Sequence, residues 1–304
     1  MRALAKFVMS RRIQAVLVAV GFALWGLLLP PASYLSGAAV ALVTLRRGAR
    51  EGVLIIAGAT AAAAVLAGLV LGDTVPALVF VLGMWLPLWL LAIVWRNTVS
   101  LAWTLQAAAG IGVLTVVLMH LVLQDPAAWW RALLEALRPA MEQAGVFADG
   151  AAMEGALDAA ARLMTGLMAA ALVFSLMISL FIARWWQAAL YNPGGFRQEF
   201  HALRADRRIA VVLVVVLLLS LVDRGVIGAL ATDLAMVGIV LYLFQGLALI
   251  HGMVAAFRAN VFWLVGLYAL MVLASPQMVL LLSAMGFADT WFDFRAHFPK
   301  AESK

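Results

Sequence analysis

The sequence predicts an all-α, polytopic transmembrane helix bundle in one integral membrane domain covering residues 1–304. We expect about nine spans, with eight as the alternative, and an external amphipathic helical insertion. The chain is 66% hydrophobic and only 12% charged, whereas about a quarter of the residues in a soluble domain are charged. Its apolar runs approach the 17 to 25 residues that a spanning helix needs. They are apolar on all sides, without the alternating pattern of barrel strands.

The longest basic interruption, residues 183–209, sets the expected orientation. It carries five arginines against Glu199 and Asp206, and arginine-rich loops of this length stay in the cytoplasm. Asn192-Pro193-Gly194-Gly195 ends the helix that enters it. We therefore expect a multi-pass membrane protein with a cytoplasmic amino terminus.

Five apolar runs precede the insertion. The first is too long for the core of a cleaved signal and leads through Pro30-Pro31 into another apolar run, so we interpret it as a retained span. The second would cover only about 21 Å, so it must thin the bilayer, start earlier or depend on its neighbours. Pro87 predicts a kink in the fourth. The expected spans are 13–29, 32–45, 53–71, 76–95 and 98–123.

Residues 124–162 form the one long acidic insertion. Trp130, Leu133, Leu134, Leu137 and Met141 recur at helical spacing, which predicts an amphipathic surface helix with its charges on another face. Glu154, Asp158 and Arg162 follow at i, i+4 and i+8, which indicates a second helix running into the sixth span. Two interpretations stay open: a hairpin that only packs, and a lid over an outward-facing cavity.

The second half of the chain predicts four more spans and a polar tail. The last span contains Pro276, and a turn at Asp223-Arg224-Gly225 separates the seventh span from the eighth. With nine spans, 14 of the 21 basic residues lie inside, while the tail is external although it carries Arg295, Lys300 and Lys304. The ranges are 163–182, 210–222, 227–257 and 261–286 for the spans and 287–304 for the tail.

The eighth span carries the candidate binding site. Tyr242 and Gln245 share one face with Gly238 and Gly252. Small residues let helices approach closely, and polar groups in hydrocarbon tend to face the bundle and to have a use. The face is either a packing seam with polar hydrogen bonds or the wall of a pocket. Gln106 and Gln277 are weaker candidates of the same kind.

No pattern indicates catalysis, a metal or a cofactor. The histidines lie in separate segments without metal-ligand spacing, there is no cysteine, and glycine-rich phosphate loops and nucleophile elbows are missing from the sequence. Asp233 and His251 share a face of the eighth span but lie about 27 Å apart. The basic residues are scattered between spans, which favours membrane lipids over nucleic acid as partners.

The first span contains a row of small residues. Ala15, Ala19 and Ala23 repeat at every fourth position, a spacing that lets a partner helix dock closely. The row therefore predicts contact with another membrane protein through the first span.

Several segments resemble one family. They are the run 244–250 (FQGLALI), the ending 286–295, the basic loop after the sixth span and the segment 45–48 (LRRG). Together they resemble the YybS-like bacterial membrane proteins, a domain of unknown function. The first helices are distantly similar to S components of energy-coupling factor transporters and to a membrane subunit of the rod-shape machinery. In S components an alanine row on the first helix contacts the coupling subunit, and Ala15 and Ala19 resemble that row. The acidic insertion and the extra carboxyl-terminal helices depart from a six-helix S component.

These observations lead to three functional hypotheses. The first is a binding or transport module for a small solute or lipid precursor that lacks its own energy source, and a polar cavity between spans would favour it. The second is a structural scaffold for envelope assembly, favoured by a solid bundle with an apolar groove facing lipid. The third is a membrane-embedded enzyme, which two facing ionisable residues at one depth would favour.

Overall fold

The computed structural model describes residues 1–145, 147, 149–222 and 225–297, and these residues are helical with no strand among them. The expected turn residues Asp223 and Arg224, and the tail from residue 298 on, lie outside the described residues. The helices are α1 (Arg2–Ser10), α2 (Arg12–Leu28), α3 (Ser33–Arg47), α4 (Ala49–Leu71), α5 (Val75–Phe80), α6 (Leu86–Thr98), α7 (Leu101–Leu123), α8 (Pro126–Glu135), α9 (Arg138–Gln143), α10 (Gly150–Tyr191), α11 (Gly195–His201), α12 (Arg207–Val222), α13 (Val226–Ala256), α14 (Phe262–Leu273) and α15 (Ser275–Phe292).

Five stretches in the described part of the chain are long and apolar enough to cross a membrane. Shorter apolar helices accompany them, including α2 and α14. The all-α bundle is therefore confirmed, while the span count is approximate. The five stretches are Ala49–Val70, Val75–Thr98, Leu101–Leu123, Gly150–Tyr191 and Val226–Ala256.

The short second run forms α3 at the centre of the bundle. Every residue from Ser36 to Leu45 is buried, and the helix packs against α2, α4, α6 and α10. The Ser36 hydroxyl donates to the carbonyl of Ala19 at 2.6 Å and accepts from Trp85 Nε1 at 3.0 Å. The short second run is expected to thin the bilayer, to start earlier or to depend on its neighbours. The structure favours the third alternative, because the neighbouring helices surround α3.

The kink expected at Pro87 is a change of helix type. A π-helical turn, Val81–Trp85, joins α5 to α6, and Pro87 lies in the first turn of α6. Proline has no N–H for the carbonyl four residues earlier, and its ring collides with that carbonyl. The wider π turn removes this conflict at the helix junction.

The insertion contains two short helices instead of one long amphipathic helix. Helix α8 ends at Glu135, and α9 begins at Arg138 with Pro139 in its first turn. Pro139 cannot donate to the carbonyl of Glu135 and disfavours helical backbone at Arg138. The expected second helix is confirmed: α10 runs for 42 residues from the insertion through the sixth span.

The expected ninth span is wrong as one continuous helix. The chain breaks at Ala274, so that α14 has 12 residues and α15 has 18 and extends to Phe292. Ser283 bonds to the carbonyl of Ile239 and Gln245 bonds to Thr290, so α15 runs parallel to α13. A helix that follows Pro276 starts afresh, because proline suits a first turn and not a helix interior.

Helices α14 and α15 consequently enter and leave the bundle at the same end. Tyr268 of α14 contacts His251 near the end of α13, and Arg295 donates to the carbonyls of His201 and Leu203 at 2.7 and 2.8 Å. The segment after α15 therefore lies beside the basic loop, and not at the opposite end as a ninth complete span would require.

The bundle is electrically polarised. We name its two ends by their charge. The basic end carries fifteen of the described basic residues and five acidic ones, and the acidic end carries three basic and eight acidic residues. The basic end includes α1, residues 46–51, residues 96–100, α11 and residues 293–297, and the acidic end includes residues 29–32, residues 72–75, α8, α9 and the start of α13.

Candidate functional site

A polar cavity opens at the acidic end between α7, α8, α10 and α13. It has a volume of about 450 Å³, which lies in the range of small-molecule sites. Its polar lining comes from four different helices or their ends. The lining residues are His120, Gln124, Asp125, Pro126, Ala127, Ala161, Arg162, Thr165, Gly225, Val226, Ala229 and Asp233.

A buried ionisable pair lies in this cavity. His120 Nε2 of α7 is 2.7 Å from Asp233 Oδ2 of α13, and the Asp233 side chain is 4% exposed. The other carboxylate oxygen accepts from the backbone N–H of Gly166 on α10 at 2.9 Å. His120 Nδ1 has no hydrogen-bond partner among the described residues. The pair thus connects α7, α10 and α13, and His120 Nδ1 is left available for a hydrogen bond to a ligand.

Gly166 makes this arrangement possible. A Cβ there would lie 2.8 Å from both Asp233 Cα and Asp233 Oδ1, and 2.7 Å from the Met236 sulfur. Such distances are below real Cβ contacts and involve backbone, so α10 and α13 would have to separate. The glycine therefore lets the α10 backbone approach the carboxylate closely enough to donate to it.

The turn between α7 and α8 forms one wall of the cavity. Gln124 has φ 57° and ψ −45°, a region that non-glycine residues rarely adopt. Asp125 then caps α8 by accepting from the Ala128 N–H at 3.0 Å, and Pro126 supplies the first helical position. Strained backbone of this kind costs of order 1–3 kcal/mol and clusters at functional sites.

Helix α8, whose first residues line the cavity, is fastened to α10. Trp130 Nε1 donates to Thr165 Oγ1 at 2.9 Å, and both groups are buried. Outside this contact, Arg131 bonds to Glu135, Glu154 and Asp158, and Arg138 bonds to Glu135 and Glu154. Hydrogen bonds from Arg138 and Arg131 lower the pKa of Glu135 to about 2. Helix α8 is therefore an ordered element fixed to α10.

The bundle is closed beneath the cavity. One helical turn closer to the basic end, Val116 lies below His120 on α7 and Val237 lies below Asp233 on α13. Both valines are buried. Val173 of α10 joins them, since a Cβ at Gly112 would meet Val173 and Val237 at 2.6 and 3.0 Å. The cavity is therefore open at the acidic end and sealed toward the basic end.

The candidate face of the eighth span lies away from this cavity. Gln245 is completely buried; its Oε1 accepts from the Ala205 N–H, and its Nε2 donates to the Gly286 carbonyl and to Thr290 Oγ1. Protein groups therefore occupy both ends of the amide, as in a packing seam. The Gln245 amide therefore has no vacant group, whereas the buried Tyr242 hydroxyl makes no hydrogen bond among the described residues. The binding role of this face stays a prediction.

The other residues of that face have separate environments. Tyr242 is buried with its ring edge-on to Phe287 at 5.3 Å. Gly238 faces α12, where a Cβ would meet a Leu213 methyl carbon at 2.5 Å, and Gly252 is half-buried. The structure therefore brings Tyr242 and Gln245 together at the α15 contact but does not bring Gly238 and Gly252 to it. The weaker candidates also lie apart: Gln106 is half-buried and Gln277 exposed.

The alanine row of α2 packs inside the chain. Ala15, Ala19 and Ala23 are at most 2% exposed, and α2 packs closely on α3. The row lets α3 approach α2, which corrects the expectation that this face is available to a partner helix. A contact of the first span with another membrane protein stays a prediction.

The sequence reasoning missed the paired residues of the cavity. His120 and Asp233 are 113 positions apart, and neither has a partner nearby in sequence. The usable signal was the isolated acid in the apolar eighth span, since intramembrane acids tend to have partners. In the described part of the chain no group of three or more histidine, aspartate or glutamate side chains could hold a metal ion.

Comparison with known proteins identifies the family. The family model described as "Predicted membrane protein (DUF2232)" matches residues 13–290, which include every helix that lines the cavity. The chain belongs to this family. The DUF2232 assignment agrees with the resemblance to YybS-like membrane proteins and, with the apolar helices, establishes a multi-pass membrane protein. No curated protein and no solved structure matches the chain.

Proposed function

We propose that this protein binds a small polar solute in the cavity at the acidic end. The buried His120–Asp233 pair carries the proposal, because ionisable side chains inside a membrane domain are costly and usually mark a solute or ion pathway. This pair lies in an open polar cavity instead of a closed core. It satisfies the criterion of a polar cavity between spans on which the solute hypothesis depends.

The lining favours a solute that is neutral or zwitterionic. Asp125 and Asp233 are accompanied by the basic side chains of Arg162 and His120. The Thr165 hydroxyl and the Gln124 amide supply further polar groups. Charged and polar side chains from separate helices converge on this cavity, so of the two ligand classes we favour a small solute over a lipid precursor.

Transport would require movement of the three central helices. The contact of Val116, Val173 and Val237 seals the bundle below the pair, and release toward the basic end would require it to open. No nucleotide-binding motif is present in the sequence. We therefore propose a binding module that uses an energy source outside this chain.

The basic end is proposed to face the cytoplasm of a bacterial inner membrane. Fifteen described basic residues at that end against three at the other follow the positive-inside rule. The amino terminus is then cytoplasmic, and the cavity opens to the outside beside α8. Anionic lipids would meet the basic end, as expected for a membrane protein with lipids as its partners.

An envelope scaffold is the second candidate. An apolar groove of about 820 Å³ lies between the end of α13 and α14, with Met253, Phe257, Trp263 and Leu267 among its lining residues. None of the α14 residues is buried, so a lipid chain or another membrane protein would complete this surface. The groove is compatible with solute binding at the opposite end.

Catalysis receives less support from the same pair. His120 and Asp233 face each other at one depth, which met our criterion for an embedded enzyme. However, Asp233 already uses both carboxylate oxygens, one toward His120 and one toward the Gly166 N–H. The pair is better suited to holding a solute or a proton than to acyl or phosphoryl transfer.

Thermal-shift binding in lipid nanodiscs tests the proposal. A panel of zwitterionic amino acids, neutral nucleosides and neutral sugars should contain at least one solute that raises the melting temperature. Asp233→Asn should abolish that shift, measured against the variant's own baseline. His251→Gln is the matched control at the other end of α13, where the imidazole contacts its own helix at the Leu247 carbonyl. A panel without effect, or a shift that Asp233→Asn preserves, would overturn the proposal.

A further inference from the structure

A second polar cavity lies at the basic end, on the opposite side of the bundle from the proposed solute site. It has a volume of about 310 Å³ and lies where α3, α6 and α10 end. Three arginines and one glutamate line it together with Trp95 and Tyr191: Arg46, Arg96, Arg184 and Glu199.

Arg184 is buried here with only part of its hydrogen-bonding capacity used. It is 9% exposed, its Nε donates to Glu199 Oε2 at 2.9 Å, and its Nη2 donates to Glu199 Oε1. The guanidinium lies 5.9 Å from the Trp95 ring. Its Nη1 has no hydrogen-bond partner among the described residues.

Arg46 and Arg96 contribute further positive charge. Arg96 Nη1 donates to the Leu45 carbonyl at 2.7 Å, while the Arg46 guanidinium lies 4.2 Å from the Tyr191 ring centroid. No hydrogen bond or ion pair to Arg46 occurs in the described part of the chain. Since a guanidinium has five N–H donors, the cavity holds many donors without acceptors and an excess of two formal positive charges.

A structural role explains only part of this arrangement. Cations stabilise helix carboxyl termini, and three such termini meet here. This accounts for the hydrogen bond from Arg96 of α6 to the Leu45 carbonyl at the end of α3. Glu199 likewise accounts for the pairing of Arg184. Neither accounts for a cavity between these side chains, nor for Arg46 without an acceptor.

The backbone at the rim of the cavity is strained. Val99 lines it with φ 51° and ψ 28°, in the left-handed region that a β-branched residue seldom occupies. Its N–H bonds to the Trp95 carbonyl at 2.8 Å, which ends α6 beside the cavity. Strain of this kind concentrates at ligand sites and switch regions.

We propose that the cavity lined by Arg46, Arg96 and Arg184 binds a phosphate-bearing group. Arginine suits it, because the planar guanidinium matches phosphate oxygens with paired donors. The group could belong to the headgroup of an anionic lipid or to a small soluble phosphate compound. The chemistry is shared, and the site does not depend on the solute cavity at the other end.

Two measurements on the purified full chain separate the sources. Calorimetry with inorganic phosphate, in nanodiscs of phosphatidylcholine alone, tests the soluble source. Native mass spectrometry after reconstitution with phosphatidylglycerol tests the lipid source. We expect wild-type protein to bind at least one of the two probes.

Variants locate the site. Arg46→Gln breaks no hydrogen bond in the described structure and should weaken binding of the responding probe at least about tenfold, and Arg96→Gln should act in the same direction. Arg50→Gln is the matched control, because Arg50 is an exposed arginine in the first turn of α4 and lies outside the cavity lining, and it should change binding less than about twofold. The proposal is overturned if neither probe binds wild-type protein, or if Arg50→Gln weakens binding as much as Arg46→Gln.

Discussion

The crossing of α13 and α15 depends on two glycines, and replacing one should destabilise the protein. A Cβ at Gly246 would lie 2.0 Å from the Leu282 carbonyl oxygen, and a Cβ at Gly286 would lie 2.2 Å from the Tyr242 carbonyl oxygen. Both obstacles are backbone atoms, so the helices must separate by about 1 Å to reach even 3.0 Å. Overpacking of this kind costs about 1–3 kcal/mol, and separation also strains the Gln245 bond to Gly286, worth about 1 kcal/mol. We expect Gly246→Ala to lower the unfolding free energy by about 2–4 kcal/mol.

Urea or thermal unfolding in one detergent measures this difference. Gly110→Ala is the control, because nothing lies within 4 Å of a Cβ there and alanine favours the helix over glycine. It should be neutral or stabilising. If Gly246→Ala were as stable as Gly110→Ala, the close crossing would be refuted. Gly286→Ala should resemble Gly246→Ala, and the double variant should be less than additive because the two sites touch.

Three further predictions concern the seam, helix α8 and the topology. Gln245→Leu should cost about 1–3 kcal/mol of stability by leaving the Ala205 N–H without its acceptor, yet leave solute binding unchanged; a lost solute shift in that variant would restore the pocket interpretation. The α8 contacts of Glu135, whose folded pKa is lowered to about 2, should stabilise the insertion fully above its ordinary pKa of about 4.3 and weaken as the pH falls toward 2; Trp130 fluorescence should follow this change, and Glu135→Gln should remove that contribution. In this cysteine-free chain, Ala296→Cys should react with an impermeant maleimide from the same side as Arg197→Cys, because α14 and α15 return to the basic end; labelling from the opposite side would show a complete ninth span.

Local patterns predicted the helical class, the continuous α10 and the insertion. These features follow from composition and periodicity, which act over a few turns of helix. The break at Ala274 was also within reach, since Pro276 stands next to serine and glutamine in a run that is otherwise apolar. Interpreting that run as one span assumed that hydropathy outweighs a proline, and it placed the chain after α15 at the wrong end.

The cavity could not be predicted from local patterns. His120, Gly166 and Asp233 become neighbours only when α7, α10 and α13 pack, and although Asp233 stands out as an acid in an apolar helix, its own segment does not show its partner. Gln245 illustrates the converse, because its polarity in an apolar helix suggested a pocket. Its actual partners, Ala205 and Thr290, lie 40 and 45 positions away. Sequence thus shows that a buried polar group needs a partner, whereas packing decides whether that partner is protein or solute.

Cysteine protection in the cavity tests the central claim most directly. Ala229→Cys lies in the cavity lining, and Ala259→Cys is the control beyond the other end of α13. In intact spheroplasts, an impermeant maleimide should label Ala229→Cys and not Ala259→Cys, and the solute found in the thermal-shift panel should slow the labelling at Ala229→Cys. Labelling of Ala259→Cys alone, or a rate at Ala229→Cys that the solute leaves unchanged, would contradict an outward-facing solute site.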